Sequence, residues 1–143
     1  MSVTTYSFQD NNVSFNHPFG NASSTGAGIG TISVAMTQTK TTHDVGADGS
    51  VMISKIEGDN GTIAITIQQT SQLHKYLKNW YNYINTSADT SQWASMAINI
   101  NNKSLGDNVV ATNVSPQKMA DQPYQAQGQM VTWNLMAAKI TMK

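Results

Sequence analysis

Cysteine and arginine are both absent from this chain, and each absence excludes a class of chemistry. Without cysteine the protein forms no disulfide and has no thiolate for catalysis or metal binding. Arginine is the side chain best suited to bidentate contacts with guanine and phosphate, and the eight lysines only balance the eight acidic residues. Because electrostatic binding of nucleic acid needs an excess of basic residues, we expect that this chain does not recognise specific DNA or RNA sequences.

Charged residues and long apolar runs are also scarce. Only 11% of the residues are charged and 39% are hydrophobic, so asparagine, glutamine, serine and threonine supply most of the polar surface. No apolar run approaches the ~20 residues that cross a bilayer, and the first residues lack the basic and apolar regions of a signal peptide. The 143 residues predict a single domain, residues 1–143, which we expect to be soluble in the cell that makes it and to have no membrane partner.

Side chains that could carry catalysis are few and scattered. The three histidines, His17, His43 and His74, lie far apart in the sequence. His43 with Asp44 and Asp48 comes nearest to a metal-ligand cluster, but a hairpin tip offers little structure to hold ligands in place. The chain has one glutamate and therefore little material for paired-carboxylate chemistry. We expect no catalytic residue, no bound metal and no cofactor, and interpret the chain as a non-enzyme.

Apolar residues that recur at every second position predict two long strands in the first half of the chain. Such a period of two gives each strand one apolar face and one small polar face. We expect the apolar faces to pack on the core. Their members are Ile32, Val34 and Met36 in the first strand and Ile63, Ile65 and Ile67 in the second.

The two strand-like segments, residues 31–45 and 50–69, meet at the polar tip 46–49. Extended from residue 32 to residue 45, the first would reach about 43 Å, whereas a compact domain of this length is about 37 Å across. The hairpin therefore bends sharply or projects from its own domain, with residues 38–56 as the projecting part. A projecting two-stranded ribbon is marginal in water alone, so a partner, another copy of this chain, is expected to pack on it.

One amphipathic helix interrupts a chain that otherwise predicts strands. Thr70 or Ser71 is a suitable N-cap, and apolar residues recur at helical spacing from Leu73 to Ile84. Tyr6 to Phe15 predict a short hairpin that turns at residues 10–12, and residues 20–28 predict a flexible loop. The fold class is therefore mainly β: an antiparallel β-sandwich or partly closed barrel with one flanking helix and a long projecting hairpin.

Five features in order along the chain resemble the small tail tube proteins of contractile-tailed phages. They are residues 6–12, Val-Gly-Ala-Asp-Gly-Ser-Val-Met at residues 45–52, the Thr-Ile-x-Ile strand, the helix from Ser71 to Ile84, and the late strand around Trp133. That family is similar in fold to the tube protein of type VI secretion. The resemblance implies a β-sandwich with one helix that forms hexameric rings, which stack into a hollow tube through which DNA leaves the capsid.

The resemblance also implies partners and a location. The chain would bind itself in homohexameric rings and would contact sheath, baseplate and tail-terminator proteins, while DNA passes transiently and without sequence specificity. It would belong to the tail of the virion after assembly in the host cytoplasm. The family's long loop reaches the next ring, which fits the projecting hairpin. The residues expected to make this inter-ring contact are Thr41, Thr42, His43, Asp44, Val45, Gly46, Ala47, Asp48, Gly49, Ser50, Val51 and Met52.

In a tube of this kind, the small neutral strand faces are suited to line the bore. A conduit for DNA should not hold phosphates tightly, because neutralised phosphates release counterions and strengthen binding. The helix would then lie outside, on the tube wall. The alternative is that these faces are simply exposed to solvent on a soluble β-sandwich. The residues expected to face the lumen are Ser33, Ala35, Thr37, Thr62, Ala64, Thr66 and Gln68.

Two alternative functions remain at this point. One is the tube of a secretion system or a tailocin, which neighbouring capsid and packaging genes would distinguish from a phage. The other is a carbohydrate-binding or adhesive β-sandwich, which would be a monomer with exposed aromatic residues on a concave sheet. A single sizing run would test the second alternative.

Overall fold

A computed structural model describes residue 3, residues 5–25 and residues 29–143, with the side chain of residue 9 left out. Within these residues one α-helix and two short 3₁₀ segments, Phe8–Asp10 and Thr90–Ala94, accompany nine strands. The strands are β1 Asn11–His17, β2 Gly20–Ser24, β3 Ile29–Met36, β4 Thr41–Val45, β5 Val51–Lys55, β6 Gly61–Gln68, β7 Met96–Asn102, β8 Asp107–Pro116 and β9 Met130–Met142, and the helix is α1 Gln72–Thr86.

Seven strands form one antiparallel sheet in the order β2-β1-β7-β8-β9-β6-β3, and the sheet curves into a half-barrel. The remaining two strands, β4 and β5, pair only with each other. The predicted mainly antiparallel β class and the partly closed barrel are thus confirmed. The alternative of two packed sheets is wrong, because β3 and β6 join the same sheet as β7 and β8 through β9.

The core lies on the inner face of the half-barrel, where the period of two places the apolar side chains. Ile63, Ile65 and Ile67 of β6 are completely buried. Trp133 and Leu135, their neighbours on β9, are buried as well. Full burial of an aliphatic side chain of this size contributes about 1.5–3 kcal/mol, so this strand pair is central to stability.

Helix α1 closes the core from the inner side of the sheet. Ser71 is its N-cap, because its Oγ accepts a hydrogen bond from the backbone N–H of His74 at 3.2 Å. The apolar stripe buries Leu77 and Trp80 completely. The hydroxyl of Tyr76 donates to the Gly20 carbonyl oxygen at 2.6 Å and ties the helix to β2. The predicted helix is confirmed, and its opposite side remains exposed.

Two predictions for the first 28 residues are wrong where the structure describes them. Phe8 begins a 3₁₀ turn, and β1 instead pairs with β2 around the turn after His17. Residues 20–24 form an edge strand rather than a loop; residues 26–28 of the predicted loop lie outside the described residues. Small polar side chains predict strands poorly, but pairing with β1 supplies the backbone hydrogen bonds that propensity does not.

The first strand of the long hairpin is also interrupted. β3 ends at Met36 and β4 begins at Thr41, so the fully extended segment expected from residue 32 to residue 45 is two strands rather than one. At the break the N–H of Thr37 donates to the Asn60 carbonyl oxygen at 3.1 Å. The chain thus leaves the main sheet and starts a second, separate ladder.

Candidate assembly surfaces

The β4–β5 hairpin is a small sheet without a core of its own. All ten of its strand residues are exposed. At the turn, the N–H of Gly46 donates to the Ser50 carbonyl oxygen at 2.7 Å, and Gly49 adopts a φ of 87°, which favours glycine. Asp48 accepts a hydrogen bond from the N–H of Ser50 at 3.0 Å, and this bond lowers the pKa of the Asp48 carboxyl. The tip is therefore ordered by its own backbone.

The register of the hairpin separates its exposed apolar side chains. Val45 pairs with Val51 and His43 with Ile53 on one face, whereas Met52 pairs with Asp44 on the other. The exposed fractions are 66% for Val45, 51% for Val51 and 67% for Ile53. We name these three residues the apolar hairpin face. Ile53 lies outside the stretch chosen from the sequence, although counting the register back from the turn would have included it.

The base of the hairpin is fixed to the main sheet. Lys40 Nζ lies 2.8 Å from Asp59 Oδ1, and the N–H of Ile140 in β9 donates to the Asp59 carbonyl oxygen at 2.7 Å. The hydrogen bond from Lys40 and its charge lower the pKa of the Asp59 carboxyl. The N–H of Ile56 donates to the Lys40 carbonyl oxygen at 2.8 Å, which closes the two ends of the hairpin. These contacts set the direction in which the hairpin leaves the sheet.

The small polar residues of β3 and β6 come together on the outer face of the half-barrel. Ser33 lies opposite Ala64 and Ala35 opposite Thr62 in the antiparallel ladder. Thr66 continues the face, and its Oγ1 lies 3.1 Å from Thr132 Oγ1 on β9. Of the seven residues predicted to line the bore, six therefore lie on this face, because Gln68 at the end of β6 points outward like Thr66. The seventh, Thr37, is exposed just beyond β3.

β9 adds residues to this face that the sequence did not mark. Thr132, Asn134 and Met136 lie opposite Thr66, Ala64 and Thr62. Because apolar and polar residues also alternate in β9, the sequence could have predicted a polar face on this strand. It could not have predicted that β9 pairs with β6. We name the outward side chains of β3, of β6 and of residues 130–136 of β9 the neutral face.

The outer surface of the main sheet contains little charge. In the seven strands the ionisable side chains are His17, Asp107 and Lys139. His17 is buried, and Asp107 pairs with the inward-facing Asn102. Of these three residues, Lys139 is the one whose side chain points outward, since it lies opposite the exposed Thr112. The outer surface of these strands is otherwise made of amide, hydroxyl and apolar groups, which include the exposed Met130 and Met136.

The exposed side of α1 differs from the sheet because it carries positive charge. The helix contains Lys75 and Lys78 and no acidic residue. Among the described residues neither lysine takes part in an ion pair. Together with Gln69, Asn79 and the exposed Tyr124, they line a groove of about 440 Å³ between the helix and the loop before β9. We name this the α1 groove.

The three histidines do not converge. His74 is buried, and its Nδ1 accepts a hydrogen bond from Trp133 Nε1 at 3.1 Å; burial and the nearby Lys78 lower the pKa of His74. His17 Nδ1 accepts from the N–H of Phe19 at 2.9 Å, so its Nε2–H donates to the Gln92 carbonyl oxygen at 2.9 Å. His43 lies on the exposed hairpin. Within the described residues no group of three His, Asp or Glu side chains could hold a metal ion.

Comparisons with known proteins give one family. The family model described as "Bacteriophage PhiTE tail tube protein" matches residues 3–143. No curated protein matches the sequence. Among the described residues no helix is long and apolar enough to cross a membrane.

Solved structures of contractile injection systems share the fold. A chain in the baseplate structure of the anti-feeding prophage superposes with a TM-score of 0.65 at 14% identity, with 100% of this chain and 97% of that chain covered. The tube-terminating cap of the anti-feeding prophage gives 0.64 at 12% identity, covering 100% and 93%. A chain of the extended sheath–tube complex of the extracellular contractile injection system PVC gives 0.56 at 12% identity, covering 93% and 87%. At such low identity the likeness establishes the fold alone.

Proposed function

This chain belongs to the bacteriophage PhiTE tail tube protein family, and from that premise we propose that it builds the inner tail tube of a virion by stacking hexameric rings. The family is one of structural tail components, not of enzymes. The observation that carries the proposal is the family match over nearly the whole chain. The exposed hairpin supports it, because ten strand residues without a core need a neighbouring molecule to cover them.

Stacking requires that one end of each ring bind the other end of the next. Such a contact is heterologous, and repeated along an axis it gives an open-ended tube. We assign the inter-ring contact to residues 41–52 and extend it to Ile53, which shares the apolar hairpin face. An exposed apolar patch on a protein with a mostly polar surface is typical of an interaction site.

The bore of the proposed tube is lined by the neutral face, and DNA leaves the capsid through it. Support comes from the near absence of charge on the outer surface of the main sheet, where Lys139 is the exception. A wall that neutralises no phosphates releases no counterions and so does not retain DNA. In this arrangement α1 lies on the outside of the tube, where sheath, baseplate and tail-terminator proteins bind. Assembly takes place in the host cytoplasm.

A second candidate is the tube of an extracellular contractile injection system. It is favoured by the structural neighbours, which come from the anti-feeding prophage and PVC. The family match favours the phage tail. Particles that carry this chain and a DNA-filled head would decide for the phage. The carbohydrate-binding alternative is not retained, because the family consists of tail tube proteins.

Electron microscopy of the purified protein tests the proposal. We expect rings with six-fold symmetry or tubes, alone or after addition of a baseplate nucleus, because tube proteins can await nucleation. Only monomers over a wide concentration range, with and without the nucleus, would contradict the proposed function. Sedimentation velocity on the same samples measures the fraction in each state.

A further inference from the structure

The hairpin and the start of α1 lie at opposite ends of the same strand. The hairpin joins the end of β3 at Met36 to the start of β6 at Gly61, whereas α1 follows the last residue of β6, Gln68, after three residues. Eight residues of β-strand separate the two ends by about 23 Å. In a head-to-tail stack with β6 along the tube axis, the end of one subunit that carries the hairpin faces the end of the next subunit where α1 begins.

The charges of these two ends are opposite. Near its tip the hairpin carries Asp44 and Asp48, both exposed, whereas its lysine, Lys55, lies at the base with its Nζ 3.6 Å from Glu57 Oε1. The α1 groove contains Lys75 and Lys78, and its lining includes no acidic residue. Neither lysine has a carboxylate partner among the described residues. Each surface therefore lacks the counter-charge that the other carries.

The apolar contacts of the two surfaces also match. Tyr124, at the wall of the α1 groove, is 81% exposed and offers an aromatic ring to a partner. Val45 and Val51 form a cross-strand pair on one face of the tip, and Asp44 lies on the opposite face. A tip inserted between the helix and the loop before β9 therefore turns the valines to Tyr124 and Asp44 to the lysines. A ribbon tip with one apolar pair and two carboxylates fits a groove with one aromatic side chain and two ammonium groups.

We propose that the hairpin tip of one subunit docks into the α1 groove of a subunit in the next ring, with Asp44 and Asp48 facing Lys75 and Lys78 and the Val45–Val51 pair against Tyr124. This inference rests on the proposed tube function and names the receiving surface of the inter-ring contact. It makes the α1 groove a binding site for a second copy of this chain rather than for a sheath subunit.

Charge reversal tests the pairing. Lys75→Glu with Lys78→Glu makes the groove acidic, and Asp44→Lys reverses one tip charge while it keeps the turn bond of Asp48. Each change alone should raise the critical concentration for tube formation about tenfold, because the exposed ion pairs are lost and like charges then repel each other. The triple variant should form tubes at a lower critical concentration than Lys75→Glu/Lys78→Glu, because the lysine at position 44 then faces a glutamate in place of a like charge. Critical concentration is measured by sedimentation of tubes at 0.1 M salt.

Two controls separate docking from damage. Asn85→Glu places a negative charge on the same helix but outside the groove, and should leave the critical concentration unchanged. Circular dichroism and thermal unfolding of each unassembled subunit establish that the fold is intact. Recovery in the triple variant supports the inference. A triple variant no better than Lys75→Glu/Lys78→Glu overturns it, and so do Lys75→Glu/Lys78→Glu tubes that form normally but no longer accept sheath.

Cross-linking gives an independent readout, because the natural chain has no cysteine. Ala47→Cys at the tip with Asn79→Cys in the groove should yield, on oxidation of assembled tubes, a ladder of covalently linked subunits on a non-reducing gel. Ala47→Cys with Asn85→Cys should yield no ladder. Tubes of the first variant without a ladder overturn the inference but leave the tube function standing. Failure of the natural chain to form any ring or tube, with and without a baseplate nucleus, overturns the function itself.

Discussion

At the scale of the single residue, His74 makes the stability of this domain depend on pH. Its Nδ1 accepts the indole N–H of Trp133, and this bond requires the neutral imidazole. Burial first, and Lys78 second, lower the pKa of His74 in the folded protein. In the unfolded chain the imidazole titrates near its ordinary value of about 6.5.

The sign of the effect follows from proton uptake. Well above pH 6.5, His74 is neutral in both the folded and the unfolded chain, and its contribution to stability is fully present. As the pH falls below 6.5, the unfolded chain gains a proton that the folded chain does not, so the free energy of unfolding falls. We expect the free energy of unfolding to decrease between pH 6.5 and pH 5. His74→Gln keeps an acceptor for Trp133 without titrating and should flatten this slope. An unchanged slope in urea titrations of the variant would contradict the assignment.

Gly61 is a second residue whose identity the structure requires. A Cβ at this position would lie 2.5 Å from the Ala35 carbonyl oxygen and 2.6 Å from Ile140 Cδ1. Because the first contact is with backbone, Gly61→Ala should destabilise the domain by about 1–3 kcal/mol. Gly20→Ala is the matched control, since nothing lies within 4 Å of its added Cβ. Equal melting temperatures for the two variants would show that the backbone of β3 shifts to make room for the Cβ atom without loss of stability.

At the scale of the element, periodicity decides what the sequence could predict. The sequence predicts β6 and α1 because their apolar residues are periodic. Ile63, Ile65 and Ile67 recur every second residue, the apolar residues of the helix recur about every 3.6 residues, and each element buries its apolar side. β2 is not readable: Gly-Asn-Ala-Ser-Ser has no apolar period, and its strand state comes from pairing with β1. Local pattern carries no information on that pairing.

The hairpin is the element whose removal best separates folding from assembly. Lys40 and Ile56 are joined by a backbone hydrogen bond of 2.8 Å, so a short Gly-Ser turn can replace residues 41–55. Because these strands have no buried residue, we expect the melting temperature to change by only a few degrees while tubes no longer form. If the shortened subunit unfolds instead, the hairpin contributes to the core and its assignment as an inter-ring contact is wrong.

The apolar hairpin face allows a finer comparison within the same element. Val51→Thr and Ile53→Thr keep β-branched shapes but place a hydroxyl on the face expected to be covered. Met52→Thr makes a comparable change on the opposite face. We expect the first pair to weaken tube formation by a larger factor than Met52→Thr, measured as critical concentration. The reverse order would show that the Asp44–Met52 face makes the larger apolar contact.

At the scale of the whole molecule, one curved sheet gives the chain two different surfaces. The inner side holds the core and α1, and the outer side is available to face a neighbour, a bore or solvent. The partly closed barrel was predictable from the order of strands and helix, but the single sheet was not. The reason is that β6–β9 and β8–β9 pairing joins residues far apart in sequence. For the same reason the sequence suggested the β3–β6 part of the neutral face and missed β9.

The neutral face makes a prediction that only the assembled tube can test. Thr66 lies in the middle of this face, so Thr66→Lys would add six positive charges to every hexameric ring of the proposed bore. The change removes the contact with Thr132, which costs about 1 kcal/mol, and Thr66→Gln is the matched neutral variant for that loss. Because each lysine would neutralise a phosphate and release counterions, DNA ejection should slow in the Lys particles and not in the Gln particles, and added salt should restore it. The measurement is the rate of dye-detected DNA release after triggering, in particles whose tails have normal length. Equal release rates for the Lys and Gln particles would mean that the neutral face points away from the channel, toward a neighbouring subunit or the outside of the tube.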